Sequence, residues 1–212
     1  MKTFCLFALW LMTVAALSNL WGIHTIGLTL WVGIAAFYVC RRLEHRLLFS
    51  GVFDLHAAPQ RICQGHGVGV LLAVPALLSI GVLLLAQSML PGYVDEVQSL
   101  TGITTAANRL PRLLLVLALL SLGEAIAWHG FFQTQLQRML TPRAALLLTA
   151  MLYAMGNFSA LSPAWIWLDH MLTLSSGVVY AVLFRKAKNV WVVAFAHVIA
   201  KLCSALLLIW MA

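Results

Sequence analysis

Charged residues are scarce in this chain, where Asp, Glu, Lys and Arg together make up only 9% of the 212 residues. A soluble globular domain carries roughly 25%. Apolar residues account for 63% of the sequence, and runs of about 20 such residues are long enough to cross a bilayer. The composition therefore excludes a soluble protein and predicts an all-α fold, a polytopic transmembrane helix bundle of about seven spans.

Seven apolar segments are the candidate spans: residues 4–18, 21–40, 68–90, 112–137, 144–160, 164–184 and 190–211. The first is the weakest, because Lys2 followed by an apolar run also resembles a signal peptide. No segment resembles a soluble domain, and the length suits one bundle. A basic loop at 41–67 and a second loop at 91–111 are the main connections, and "PGYVDEVQSL" in the latter is expected to form a short interfacial helix.

Positive charges lie mainly on one side of this seven-span arrangement. That side carries Lys2, Arg41, Arg42, Arg46, Arg61, Arg138, Arg143, Arg185, Lys186 and Lys188, whereas Arg109 and Arg112 lie on the other. The positive-inside rule then places the N-terminus in the cytoplasm and the C-terminus outside. The net charge of +7 therefore reflects topology, and we expect the lipid bilayer and no nucleic acid as a partner.

The sequence also lacks the patterns of several kinds of site. The four cysteines share no metal-ligand spacing such as C-x-x-C. His45, His56 and His66 are widely and irregularly spaced, which favours a solvated loop. No internal repeat is present, although inverted repeats are typical of many secondary transporters. We expect neither a metal nor a cofactor.

A few polar side chains fall within the apolar segments, where ionisable groups are costly and usually functional. At about 1.5 Å per residue, Glu124 and Asn157 lie about 21 Å from the basic ends of their helices, and His129 and His197 about 13 Å. Three helices thus place these four side chains within a slab about 8 Å thick. They are expected to converge on one buried polar site.

Each of these residues also has a purely structural interpretation. Glu124 could pair with a histidine and hold helices together, and Asn157 could form an interhelical hydrogen bond. His197 could be a satisfied core histidine. Lys201 lies one helical turn after His197 on the same face, and a buried lysine requires a carboxylate partner.

Three short stretches resemble the CPBP family of intramembrane proteases, which comprises CAAX-prenyl proteases and bacteriocin-processing (Abi) proteins. "GEAIAWHGFFQTQLQ" (123–137) resembles the first motif, E-E-x-x-x-R, which is usually followed by glycine and an aromatic residue. "YAMGN" (153–157) stands in the place of the second motif, F-x-x-x-H, and "HVIAK" (197–201) in that of the third, H-x-x-x-N or H-x-x-x-D. The resemblance makes 111–212 the CPBP-like core and 1–110 the N-terminal helices and loops of the same bundle.

The first motif is degenerate in this chain. Glu124 keeps the position of the family's catalytic carboxylate, whereas Ala125 and His129 replace the second glutamate and the arginine. Those two positions have the i, i+4 spacing of a helical ion pair, so their joint loss leaves no unmatched charge. His129 lies about 140° around an α-helix from Glu124, so the two side chains need not face each other. His129 could still supply base function if the helix is kinked near Gly123 or Gly130.

The second and third motifs are degenerate as well. Asn157 replaces the histidine that, in the family, helps the glutamate to activate water, and asparagine can orient water without taking its proton. Lys201 replaces the asparagine that stabilises the oxyanion with histidine. The resemblance thus implies Glu124 as general base, Asn157 as water holder, and His197 with Lys201 as oxyanion stabilisers.

Two functions are compatible with these motifs. One is a glutamic endopeptidase that hydrolyses a membrane-associated peptide or protein near its membrane-embedded or cytoplasmic end. The other is an inactive relative that binds membrane peptides, as a regulator or a bacteriocin self-immunity factor. A third interpretation, a small transporter with Glu124 and Lys201 as a proton-linked pair, lacks the expected repeats. The family favours the bacterial inner membrane as location.

Overall fold

The computed structural model describes residues 2–19, 27–44, 51–90, 92–102, 110–157, 161–162 and 165–212. These residues are predominantly helical and contain no β-strand. The helices are α1 (Lys2–Ser18), α2 (Leu28–Leu43), α3 (Ala58–Gln64), α4 (Val68–Met89), α5 (Tyr93–Thr101), α6 (Leu110–Glu124, continued by a π-helix at Ala125–Gln133 and by Thr134–Leu136), α7 (Pro142–Gly156), α8 (Ile166–Ala187) and α9 (Val190–Trp210). The predicted all-α class is confirmed, and α5 lies where a loop helix was expected.

Four helices in the described part of the chain are long and apolar enough to cross a membrane: α4, α6, α8 and α9. They contain 21 to 26 residues, as a bilayer crossing requires. The other three predicted spans fall on α1, α2 and α7, which have 17, 16 and 15 residues. The chain is an integral membrane protein, whereas seven spans stay a prediction. Parts of the predicted spans (21–26, 158–160 and 164) lie outside the described residues, as do His45, Arg46 and Arg109.

One end of the bundle, hereafter the basic end, carries most of the described positive side chains. They are Arg41, Arg42, Arg61, Arg138, Arg143, Arg185, Lys186 and Lys188. A 2.7 Å ion pair joins Arg138 to Glu44 after α2, and Lys186 donates to the carbonyl of His66 at 3.1 Å. At the opposite end, α4 and α9 finish and α8 begins.

The main hydrophobic core contains residues from both sides of position 110. Buried side chains of α1 and α2 pack with the π-helix of α6 and with α7, α8 and α9. Every residue of the π-helix, Ala125–Gln133, is buried. A second, smaller core joins α4, α5 and α9 near the opposite end. The candidate site residues of α6 therefore lie in the most enclosed part of the molecule.

Helix α9, which carries His197 and Lys201, begins at a side-chain cap. Asn189 Oδ1 accepts hydrogen bonds from the backbone N–H groups of Trp191 at 2.8 Å and Val192 at 3.3 Å, which satisfies donors that a helix start leaves free. Asn189 Nδ2 donates to the carbonyl of Asp54 at 2.7 Å. This buried cap ties the start of α9 to the segment before α3 and so fixes where His197 lies.

Close contact between α2 and the π-helix depends on Gly33. A Cβ added at Gly33 would lie 2.5 Å from Ala127 Cβ and 2.8 Å from its Cα. Small residues allow such close backbone approach between membrane helices, where dispersion contacts drive association. A methyl group at this position therefore has no room unless the helices move apart.

Gly33→Ala is accordingly expected to lower the free energy of unfolding by about 1–3 kcal/mol through overpacking. Thermal unfolding in detergent micelles measures the effect. Gly81→Ala is the matched control, because nothing lies within 4 Å of a Cβ at this α4 position and alanine favours a helix over glycine. Equal melting temperatures for the two variants would contradict the close approach.

Candidate active site

The π-helix of α6 determines which way Glu124 and His129 face. An α-helix would separate these two side chains by about 140°, but the i→i+5 hydrogen bonds of a π-helix widen each turn and reduce that angle. Both side chains reach α9: Glu124 Oε2 lies 3.1 Å from His197 Nδ1, and the His129 and His197 ring centroids are 6.2 Å apart. The required distortion is thus a run of π turns rather than a kink at one glycine.

Glu124 has partners on both carboxylate oxygens. Lys201 Nζ donates to Oε1 at 2.6 Å. The Tyr153 hydroxyl donates to Oε2 at 3.3 Å, and His197 Nδ1 lies 3.1 Å from the same oxygen. The Glu124 side chain is 13% exposed and that of Lys201 30%. These four residues from α6, α7 and α9, hereafter the Glu124 cluster, form one largely buried polar group.

His197 is positioned by packing as well as by charge. Its ring stacks on Tyr180 of α8, with centroids 3.6 Å apart and planes inclined by 17°. The Tyr153 ring meets it edge-on at 5.8 Å. The contact between His197 Nδ1 and Glu124 is electrostatic and lacks hydrogen-bond alignment. His197 Nε2 has no hydrogen-bond partner among the residues that the structure describes. The imidazole is therefore held by aromatic rings beside the carboxylate.

His129 lies beside the Glu124 cluster and is held from its own helix. His129 Nδ1 is 2.8 Å from Gln133 Oε1, and Gln133 Nε2 donates to the carbonyl of Ala181 in α8 at 2.9 Å. The side chains of His129 and Gln133 are fully buried. Within the described ranges, His129 Nε2 has no hydrogen-bond partner.

Asn157 has a different environment from the one expected. Its Nδ2 donates at 2.9 Å to the carbonyl of Tyr153 in its own helix, at the C-terminal cap of α7. Tyr153, one turn earlier, is the residue through which α7 contacts Glu124. The structure therefore brings Glu124, His197 and Lys201 into direct contact, whereas the side chain of Asn157 forms its hydrogen bond locally.

Three residues of this arrangement were not among the predicted site residues: Tyr153, Tyr180 and Gln133. Tyr153 had a usable signal, because it opens the stretch "YAMGN" that stands in the place of F-x-x-x-H. Gln133 lies four residues after His129, the spacing of paired helical side chains. Tyr180 had no signal, since its contact with His197 depends on how α8 packs on α9.

A cavity of about 290 Å³ adjoins the Glu124 cluster and is bordered by Lys201, Tyr153 and Tyr180. Its other walls come from α4, α5, α6, α8 and α9. They combine apolar side chains with the hydroxyls of Ser79, Thr101, Thr173, Ser176 and Ser204. The cavity extends from the cluster toward the end opposite the basic end, since its lining includes Thr101 of α5 and Leu208 near the end of α9.

A protein-family model covers the part of the chain that contains this site. A family model described as type II CAAX prenyl endopeptidase Rce1-like matches residues 106–203. The resemblance to the CPBP family is thereby confirmed over these residues. No curated protein and no solved structure matches the chain.

The Rce1-like region contains every predicted site residue, and its two α6 substitutions are accommodated locally. Ala125, at the position of the family's second glutamate, is fully buried. His129, at the position of the arginine, is bonded to Gln133 instead of to an acid. No group of three or more His, Cys, Asp or Glu side chains within the described part of the chain is arranged to hold a metal ion.

Proposed function

We propose that this protein is an intramembrane peptide hydrolase in which Glu124 activates a water molecule against a membrane-associated peptide or protein. One observation carries the proposal: the Glu124 cluster lies buried among apolar helices and borders a cavity large enough for part of a substrate. The Rce1-like match supports the reaction class, because the matched family is one of endopeptidases.

In the proposed reaction, the water oxygen attacks the carbonyl carbon of the scissile peptide bond while Glu124 takes the water proton. The carbonyl electron pair moves onto oxygen and forms an oxyanion. When this tetrahedral intermediate collapses, the C–N bond breaks and the proton on Glu124 passes to the leaving nitrogen. The products are a carboxyl group and an amine, and Glu124 returns to its ionised state.

Lys201 and Tyr153 are the donors placed to stabilise the oxyanion. While Glu124 is ionised, it and Lys201 form a neutral pair 2.6 Å apart. Once Glu124 takes the proton, the ammonium charge is left uncompensated and complements the oxyanion that forms at the same moment. Because His197 Nδ1 faces the carboxylate at 3.1 Å, we assign to His197 the role of holding Glu124 rather than that of an oxyanion donor.

We further propose that the protein lies in the bacterial inner membrane with its N-terminus in the cytoplasm and its C-terminus outside. The basic end then faces the cytoplasm, in agreement with the positive-inside rule. In this orientation the cavity lies in the half of the bundle away from the cytoplasm. The scissile bond is therefore expected in the membrane-embedded part of the substrate.

Cleavage of a panel of membrane peptides by the purified protein in H₂¹⁸O tests the proposal. We expect one product carboxyl group labelled with ¹⁸O, as hydrolysis requires. Glu124→Gln is expected to lower the rate about 10²-fold or more, because a carboxamide cannot accept the proton. His197→Ala is expected to lower the cleavage rate as well, because the Glu124 carboxylate loses the imidazole that holds it.

Glu44→Gln is the matched control, since Glu44 pairs with Arg138 at the basic end, away from the cavity. It is expected to cut like the wild type. Equal cleavage by the wild type, Glu124→Gln and His197→Ala would show that the site is assigned wrongly. Product without ¹⁸O would rule out hydrolysis.

A non-cutting relative that binds membrane peptides is the second candidate. The specific observation in its favour is that both oxygens of Glu124 already have partners within the protein, while the hydrogen bond of Asn157 is local. Such a protein would act as a regulator or as a bacteriocin self-immunity factor. Saturable binding of panel peptides without any cleavage would favour it over the hydrolase.

A further inference from the structure

His129 carries a fully buried nitrogen, Nε2, that has no hydrogen-bond partner among the described residues. A buried polar atom without a partner is energetically unfavourable. Such atoms in native proteins usually face an ordered water or a ligand. His129 Nε2 therefore requires a partner, and its chemistry depends on whether this nitrogen carries a proton.

The hydrogen bonds of Gln133 settle the position of that proton. The carbonyl of Ala181 can only accept, so the Gln133 side-chain atom that faces it at 2.9 Å must be the donating Nε2. The other end of the amide, Oε1, then faces His129 Nδ1 at 2.8 Å and can only accept. Nδ1 must therefore carry a proton, and in the neutral imidazole this leaves His129 Nε2 as a proton-free acceptor.

We infer that His129 Nε2 is the acceptor that holds the attacking water, and that Gln133 is the positioning residue that keeps this nitrogen free of a proton. The inference rests on the proposed hydrolysis and deepens it. It moves the water-holding role from Asn157 on α7 to His129 on α6, where the π-helix turns the ring toward α9. Gln133 acts only through His129 and does not touch the water.

In this proposal the water lies between His129 and the Glu124 cluster. The His129 and His197 ring centroids are 6.2 Å apart, and His197 Nδ1 is 3.1 Å from Glu124 Oε2. Water has two O–H groups, so one can donate to His129 Nε2 and the other to Glu124, which takes that proton. The oxygen lone pair is then free to attack the substrate carbonyl.

Imidazole ¹⁵N chemical shifts of histidine-labelled protein in micelles test the tautomer without any need for activity. The His129 signals are identified by their loss in His129→Asn. We expect the wild type to show Nδ1 protonated and Nε2 free. In Gln133→Met, which keeps the volume and removes both hydrogen bonds, the signals are expected to shift toward the tautomer with Nε2 protonated. A wild-type spectrum with Nε2 protonated overturns the inference.

Kinetics on a peptide that the wild type cleaves test the role in the reaction. Gln133→Met is expected to lower kcat roughly tenfold or more with little change in KM. Residues that orient an active-site group have effects of this size when they are removed. Gln133→Glu keeps an acceptor for Nδ1–H and is expected to retain much more of the rate. Gln137→Met, a half-buried glutamine on the same segment, is the control and is expected to leave kcat unchanged.

The two measurements separate this inference from the proposed function. If no peptide is cleaved but His129 shows the expected tautomer, the hydrolase fails and the acceptor at His129 Nε2 stands. If peptides are cleaved and Gln133→Met matches Gln133→Glu in kcat, the hydrolase stands and the water-holding role of His129 is overturned.

Discussion

Lys201→Met is expected to lower the free energy of unfolding by about 2–3 kcal/mol, because it leaves Glu124 buried without its ammonium partner. Removing one member of a fully buried ion pair typically costs about 3–5 kcal/mol. The Lys201 side chain is 30% exposed toward the cavity and Glu124 13%, so partial solvation makes the expected loss smaller. Methionine keeps most of the volume of lysine, so the effect reports the charge rather than a void.

Thermal and denaturant unfolding in detergent micelles measure this loss, and a double-mutant cycle isolates its cause. The double variant Glu124→Gln with Lys201→Met removes both charges and is expected to be more stable than Lys201→Met alone. Glu124→Gln alone is expected to be destabilised less than Lys201→Met, since the freed ammonium reaches the cavity. Strictly additive effects of the two substitutions would contradict a coupled ion pair.

Trp128→Ala is expected to destabilise the protein more, by about 3–5 kcal/mol, because it empties a large volume in the core. Trp128 is 1% exposed and packs edge-on against Phe132 at 5.3 Å and Tyr153 at 6.0 Å between ring centroids. Its ring also fills the space beside Gly156, where an added Cβ would lie 2.8 Å from it. The indole thus fills the interface between the π-helix of α6 and α7 and packs against the ring of Tyr153.

The melting temperature of Trp128→Ala in micelles is expected to fall by roughly 6–20 °C, given about 2–4 °C per kcal/mol for a protein of this size. Trp167→Ala is the matched control, because Trp167 lies on α8 and is 70% exposed. It is expected to melt within a few degrees of the wild type. A similar fall in melting temperature for both variants would contradict the packing role of Trp128.

Much of the site could be predicted from the sequence, because polar groups in the hydrocarbon core of a membrane are energetically unfavourable. Glu124 and Lys201 stand out in apolar runs, and a buried charge requires a partner. The depth estimate placed Glu124 and His197 in the same slab, and the structure brings them to 3.1 Å. The estimate failed to identify the side chain on α7, since depth along a helix says nothing about the direction in which Tyr153 or Asn157 points.

Composition and segment length were enough to predict a membrane-embedded helical protein whose few ionisable groups would be drawn together, because hydropathy and charge act at that level. Which side chains meet depends on how the helices pack. The π-helix at Ala125–Gln133 turns His129 toward α9, and the packing of α8 places Tyr180 on His197 and Ala181 on Gln133. Such choices depend on backbone hydrogen bonding and on contacts between distant segments, which local residue patterns do not specify.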